Sequence, residues 1–462
     1  MLFNAYEFVL FLVVAFWGAR LLERRPAGEL WWLLLASALF YASWDPRYLV
    51  LIGASVLLDF AVGRWLASEE REGARRGLLL CSLIGNLGLL GIFKYGNFAL
   101  GNLEGLLGTT LPRVPGELPV GISFYTFQTL SYTIDLYRRK IRPARSLLDF
   151  ATYVAFFPQL IAGPIVRASE FLPQLSERPR RDTAAMGEGI FLILAGLFKK
   201  MVLADSIARL LVDPFFQRVD LVNAVSVIVG SLSFYFQVYC DFSGYSDVAI
   251  GVGLLFGFVL PLNFDRPGIA LSPVDHWRRW HVTMYNWLRD YVFISLGGSR
   301  LARWRVMINV MITFTLGGMW HGAGWNFALM GFYNGVLVAV WGRLRPRPSE
   351  RPIVRLLEWA LSLQLVALSI LLLRLPTLAD IGAVVAAMGR FSIDLPRGTS
   401  AAGFAYLALA FALHVSPRGL KERLRALFAC APPLFLAAAI VIVGAICSLY
   451  SETADAFYYF QF

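Results

Sequence analysis

Apolar segments follow one another along this chain with scarcely a polar interval between them, and that pattern decides what it can fold into. Candidate spans cover residues 6–22, 30–44, 48–66, 77–93, 120–136, 147–165, 186–203, 221–239 and 245–260. The C-terminal half adds 306–316, 325–341, 354–373, 403–413 and 432–449. A straight crossing of the hydrocarbon needs ~20 apolar residues. Several of these runs are shorter, which predicts re-entrant or broken helices, tolerated only where protein shields the backbone. The expected fold is an all-α polytopic membrane protein in a single domain over residues 1–462. It is pictured as a ring of transmembrane helices around a core containing short re-entrant helices.

Composition excludes the soluble alternatives. Only 16% of the 462 residues are charged and 58% are hydrophobic, too little charge to cover a soluble surface. Aromatics reach 15%, with 13 Trp, and Trp and Tyr favour the membrane–water interface. The net charge of +11 does not point to nucleic acid, because the basic residues cluster between apolar runs. Arg20, Arg24 and Arg25 follow the first run, and Arg64, Arg71, Arg75 and Arg76 the third. Between the second and third stand only Asp45, Pro46 and Arg47. Further basic clusters lie at 138–145, 300–305, 343–355 and 418–425. By the positive-inside rule the N-terminus is outside and the Arg-rich loops are cytoplasmic. No positive charge precedes the first run, so it reads as a span and not as a cleavable leader. Cys81, Cys240, Cys430 and Cys447 lie in or beside apolar segments without CxxC spacing and read as free packing thiols. No internal repeat is visible, which weakens a transporter built from inverted halves.

Residues 272–325 carry the most chemistry. The stretch opens LSPVDHWRRWHVTMYNWLRDYVFISLGGSR. Ser272 can cap a helix, Pro273 suits its first turn and Asp275 can complete a capping box. One helix is then expected to carry Trp277, Arg278, Arg279, Trp280 and His281, with Trp277, His281 and Leu288 near one face. Two Trp, two Arg and a His cannot all face lipid; an amphipathic interfacial helix with Trp at the headgroup level is the plainer reading. Next comes VMINVMITFTLGGMWHGAGWNFALMGFYNG, flanked by basic loops on both sides. Two loops on one side of the membrane make this a helical hairpin with His321 near its turn. From Val306 to His321 is ~23 Å of helix at 1.5 Å per residue, against a core ~30 Å thick. A histidine that deep is a functional candidate, since its desolvation must be offset; a structural hydrogen bond between helices is the alternative. The neighbouring glycines allow close approach of backbone or ligand. His276 reads as an interfacial residue and His414 as a helix-end residue, neither with a function.

Asp241 and Asp247 stand in the otherwise apolar YCDFSGYSDVAIG with Ser243, Gly244, Tyr245 and Ser246. Buried acids in lipid need partners, and Arg278 or Arg279 could supply them. The acids read as structural. No His or Cys cluster accompanies them, so no metal is expected.

Taken together, these segments resemble the membrane-bound O-acyltransferase family, in the branch that acetylates alginate and other exopolysaccharides. The resemblance rests on LPVGISFYTFQTLSYTIDLYR, FFPQLIAGPIVR, YCDFSGYSDVAIG, NFDRP, WRRWH, LRDYVFISLGG, MWHGAGWNF and the terminal FYYFQF, and runs nearly the whole chain. It implies that His321 is the family's essential histidine and His281 the second histidine of the bacterial branch. Trp277, Arg278, Arg279, Trp280, Trp320 and Asn326 are then candidates to bind substrate or line a passage. The implied donor is acetyl-CoA or another acyl thioester, with no bound cofactor. Beyond the lipid bilayer, the implied partners are a polysaccharide acceptor and periplasmic acetylation proteins in a bacterial inner membrane. A neutral imidazole can take a hydroxyl proton near neutral pH, which suits His321 as base; His281 could orient it, bind the acceptor or hold the developing oxyanion. D-alanyl transfer to a teichoic-type polymer, a non-catalytic transporter or channel, and a scaffold for a polysaccharide synthase remain as alternatives.

Overall fold

The computed structural model describes residues 1–177, 181–217, 222–344 and 348–450, and every regular element among them is helical. The terminal FYYFQF motif, Leu221 at the start of one expected span, and part of the 343–355 basic cluster lie outside the described residues. The chain forms two compact units. One holds residues 1–193 and 248–261, the other residues 194–247 and 262–462.

The first unit begins with α1 (Tyr6–Leu21), α2 (Pro26–Ala42), α3 (Leu49–Ser68) and α4 (Glu72–Leu90). Helix α4 runs on through a π-turn at Gly91–Tyr95 into α5 (Gly96–Leu107). Then come α6 (Ile122–Tyr137), α7 (Leu147–Ala155), α8 (Phe157–Leu160), α9 (Ala168–Glu177) and the greater part of α10 (Thr183–Leu197). The boundaries have local causes. Pro26 starts α2, Ser146 caps α7 by accepting the Asp149 N–H at 3.0 Å, and α7 and α8 are parted at the non-helical Phe156, followed by Pro158, which has no N–H to continue the α7 ladder. The 147–165 run, expected as one span, is therefore broken. Polar groups inside this unit find one another. The buried Asp59 accepts from Ser82 Oγ at 2.6 Å and Asn86 Nδ2 at 2.8 Å. Arg75, also buried, donates to the backbone carbonyls of Leu66, Glu69, Leu136 and Tyr137.

Most of α11 (Ala224–Leu255) lies in the second unit, followed by α12 (Pro273–Trp277), α13 (Val282–Leu288), α14 (Arg303–His321) and α15 (Trp325–Leu344). Next are α16 (Pro352–Leu371), α17 (Leu378–Ala387), α18 (Ala401–Val415), α19 (Arg418–Ala429) and α20 (Pro433–Ser448). Helix α11 corrects one expectation: it is a single helix of 32 residues where hydropathy predicts two spans separated at 240–244. The polar residues that interrupt the pattern do not break the helix, because each meets a partner along its side.

Five stretches among the described residues are long and apolar enough to cross a membrane: Pro46–Ser68, Glu72–Leu107, Ala224–Leu255, Trp325–Leu344 and Pro352–Arg374. The hairpin α14–α15 is present as expected. Its first arm starts at Arg303, three residues before the expected start, and has 19 residues, so its reach to His321 is ~27 Å, not ~23 Å. The two arms touch backbone to backbone. A Cβ on Gly318 would lie 2.3 Å from the Phe327 carbonyl oxygen, and one on Gly331 2.3 Å from that of Phe314. Only glycine permits this approach. All four cysteines are free; Cys240 and Cys447 are buried, but Cys81 and Cys430 are exposed, so the packing role fits only the first two.

Candidate active site

The site starts from a break. Where one helix was expected through Trp277 and His281, the chain ends α12 at Trp277 and restarts α13 at Val282. His281 sits between them in the left-handed region, with φ 45°. That conformation is strained for a residue with a Cβ, so the surroundings must hold it. Two backbone bonds do so: Asp265 N–H donates to the Arg279 carbonyl, and Val282 N–H donates to the Asn263 carbonyl, each at 2.9 Å. The NFDRP segment thus lies along the break and grips it on both sides of His281. The Asn263 side chain extends the grip, accepting from Thr283 Oγ1 at 2.9 Å and donating to Ser246 Oγ at 3.1 Å.

His281 is fully buried in an aromatic setting. Phe242 stands edge-on to its ring at 4.7 Å, Trp320 edge-on at 5.5 Å, and Phe264 lies at 6.4 Å. The His321 ring is 6.4 Å away at 79°. Neither nitrogen of His281 has a hydrogen-bond partner among the described residues, a state that a buried polar group rarely keeps unless it has other work. His321 ends α14, is only half-buried, and packs edge-on to Trp320 at 5.2 Å. The structure therefore brings the two histidines of WRRWH and MWHG together, with Trp320 against both.

The remaining candidates fall out differently. Trp277 packs on Tyr285 at 4.7 Å and Phe314 at 5.8 Å. Trp280 packs on Tyr235, Phe264 and His276. Arg278 is exposed. Arg279 pairs with Asp275 at 2.9 Å and reaches Asp265 at 3.8 Å. Ser272 caps α12 by accepting the Asp275 N–H, but the Asp275 carboxylate turns to Arg279 and does not close the capping box. The Asn326 amide is held by the Leu372 carbonyl at 2.8 Å, which ties α15 to the end of α16.

Asp241 and Asp247 do not pair with Arg278 or Arg279. Their partners are two adjacent lysines on a π-segment, Phe198–Ala204. Lys200 bridges Asp241 at 2.7 Å and Asp205 at 2.8 Å; Lys199 bridges Asp247 at 2.6 Å, and Lys421 approaches the same acid at 3.9 Å. Gly244 lets the two segments meet, since a Cβ there would be 2.7 Å from the Gly196 carbonyl oxygen. The Lys199–Lys200 pair inside the apolar run 186–203 was the available signal: buried lysines require acids. His276 is buried, not interfacial, and His414 stands at a helix end as expected but is also buried and partnered. His276 Nδ1 lies 3.2 Å from the Pro267 carbonyl, and His414 Nε2 accepts the Gly268 N–H at 2.8 Å. Among the described residues no group of three His, Cys, Asp or Glu is placed to hold a metal.

Residues 121–350 match the family model described as MBOAT, membrane-bound O-acyltransferase family. The chain is 37% identical over 370 residues to the peptidoglycan O-acetyltransferase of Helicobacter pylori, covering 74% of this chain and 70% of that protein. It is 36% identical over 397 residues to the probable alginate O-acetylase AlgI of Azotobacter vinelandii, covering 85% and 78%. The teichoic acid D-alanyltransferase of Bacillus subtilis is more distant, at 26% identity over 48% of this chain and 58% of that protein.

Proposed function

The chain belongs to the membrane-bound O-acyltransferase family, and on that premise we propose that it moves an acetyl group from a cytoplasmic thioester, acetyl-CoA, to a hydroxyl of an extracytoplasmic polysaccharide, directly or through a periplasmic partner. It is a multi-pass membrane enzyme, and the inner membrane of a bacterium is the location this reading requires. The observation that carries it is the pairing of His281 and His321 around Trp320, with both nitrogens of the buried His281 unpartnered among the described residues.

In the proposed reaction His321 accepts the proton of the acceptor hydroxyl as its oxygen bonds to the acyl carbon. The carbonyl becomes an oxyanion, and His281 donates an N–H to it from an apolar surround, where such a bond counts for more than in water. Collapse breaks the C–S bond, and the thiolate takes the proton back from His321. The products are an ester and a free thiol. The half-exposed His321 suits contact with a large acceptor; the enclosed His281 suits a fixed donor.

Acceptance of [14C]acetyl-CoA by the purified protein in detergent, with alginate or peptidoglycan fragments as acceptor, tests this. Label should enter the polymer as an ester released by mild base. Movement of label only into sealed vesicles, and none in detergent, would make the protein a transporter. The D-alanyl reading is favoured only by the more distant relatives; a D-alanyl-charged carrier protein offered in the same assay should be refused.

A further inference from the structure

We propose that His414 is a positioning residue for the catalytic hinge, acting through the Gly268 N–H on the backbone at His281; the inference rests on the proposed role of His281. His414 lies at the end of α18 and is 3% exposed. Its Nε2 accepts from the Gly268 N–H at 2.8 Å, so Nε2 is unprotonated and the proton of the neutral ring is on Nδ1. Nδ1 has no partner among the described residues. The ring is otherwise packed on aromatics, edge-on to Tyr239 at 4.5 Å and to Phe236 at 5.8 Å. An apolar ring would fill that space without burying two nitrogens. What the imidazole adds is one acceptor, aimed at one backbone N–H that is itself buried and must be satisfied.

That N–H belongs to the segment that grips His281. The peptide groups of Asn263 and Asp265 clamp residues 279–282, and three bonds from the end of α18 and the start of α19 hold the same segment. His414 takes Gly268 N–H, the Ser416 carbonyl takes Arg266 at 2.9 Å, and Arg418 pairs with Asp265 at 2.6 Å. Gly268 has no room to move toward the ring, since a Cβ there would meet His414 Nε2 at 2.8 Å. Its carbonyl is fixed from the other side by Trp359 Nε1 at 2.8 Å. A loop tied on both faces transmits its position to His281, whose left-handed backbone that loop grips on either side through Arg279 and Val282. Loss of the His414 acceptor should let the hinge relax while the acyl donor still binds.

The chain has four histidines, so imidazole 15N resonances of the full-length protein, labelled at histidine, are few enough to assign by substitution. His414→Phe keeps the ring and removes the acceptor; His414→Gln places an amide oxygen near the Nε2 position. In H414F the His281 signals should shift, and kcat with acetyl-CoA should fall about tenfold to a hundredfold, the scale of a reacting group misplaced by an ångström, with the donor KM little changed. H414Q should restore both. If H414F does not accumulate, Trp359→Phe loosens the same peptide group from its other side and should shift the same signals. Unchanged His281 signals in the variant that accumulates, or a KM effect without a kcat effect, would overturn the inference. His321→Ala is measured beside them: loss of transfer there with an unaltered H414F overturns the His414 role alone, whereas transfer that survives H321A overturns the reading of the histidine pair.

Discussion

His281 and His321 meet at 6.4 Å from opposite starting conditions. One is sealed among Phe242, Phe264 and Trp320, and the other stands half-open at a helix end. A base that must meet successive acceptors needs the open position; a donor that must not be quenched by water needs the closed one. Trp320 touches both rings, so Trp320→Ala should leave room beside the reacting carbon and admit longer acyl groups. Competition between acetyl-CoA and butyryl-CoA reads this directly, and an unchanged preference at normal protein level would place the indole away from the acyl group. The buried acids predict a different failure. Asp241 and Lys200 are each more than nine-tenths enclosed, and breaking such a pair leaves a lone charge, typically at ~3–5 kcal/mol. Lys200→Met should therefore lower the unfolding midpoint in detergent sharply, or prevent accumulation. A midpoint equal to that of the wild type would mean that water or another cation compensates Asp241 and Asp205.

At the scale of elements, the hairpin α14–α15 is the part most exposed to small changes. Gly318 and Gly331 face backbone carbonyls with no space for a methyl group. Gly318→Ala must push the arms apart and so displace His321, three residues further on. Overpacking of this kind costs about 1–3 kcal/mol. Transfer should fall more than stability does, as compared by initial rate and unfolding midpoint on the same sample; an active G318A would mean that the hairpin tolerates a wider gap. The hairpin was legible in the sequence because basic loops bracket a run with glycines at its bend. Most helix ends were legible to within a few residues, because hydropathy and proline placement act locally. The break at His281 was not. A non-glycine residue in the left-handed region leaves no local mark, and its cause lies in Asn263 and Asp265, sixteen to eighteen positions upstream. The continuity of α11 was hidden for the mirror reason. DFSGYSD looks like an interruption until Lys199, Lys200 and the close passage of Gly196 are placed beside it. The same distance effect moved His276 and His414 from the margins to the interior, since each is buried by the loop at Pro267 and Gly268.

At the scale of the whole molecule, the Arg-rich loops set the expected orientation. Cysteines at Asn4 and Glu350, in a variant lacking the four natural cysteines, should label from opposite sides of intact spheroplasts. Labelling of both from one side would reverse or break the proposed topology, and with it the passage of an acyl group from a cytoplasmic thioester to an outer acceptor. Orientation alone does not separate an enzyme from a carrier; chemistry at the histidine pair does. The most direct test is therefore single-turnover acyl transfer by purified wild type and His321→Ala in detergent, matched for amount and unfolding midpoint, with [14C]acetyl-CoA and a polysaccharide acceptor. General-base catalysis contributes about a hundredfold to ten-thousandfold, so the ester-forming rate of H321A should fall by at least the lower of these while the protein remains folded. Ester formation by folded H321A at the wild-type rate would contradict a catalytic His321.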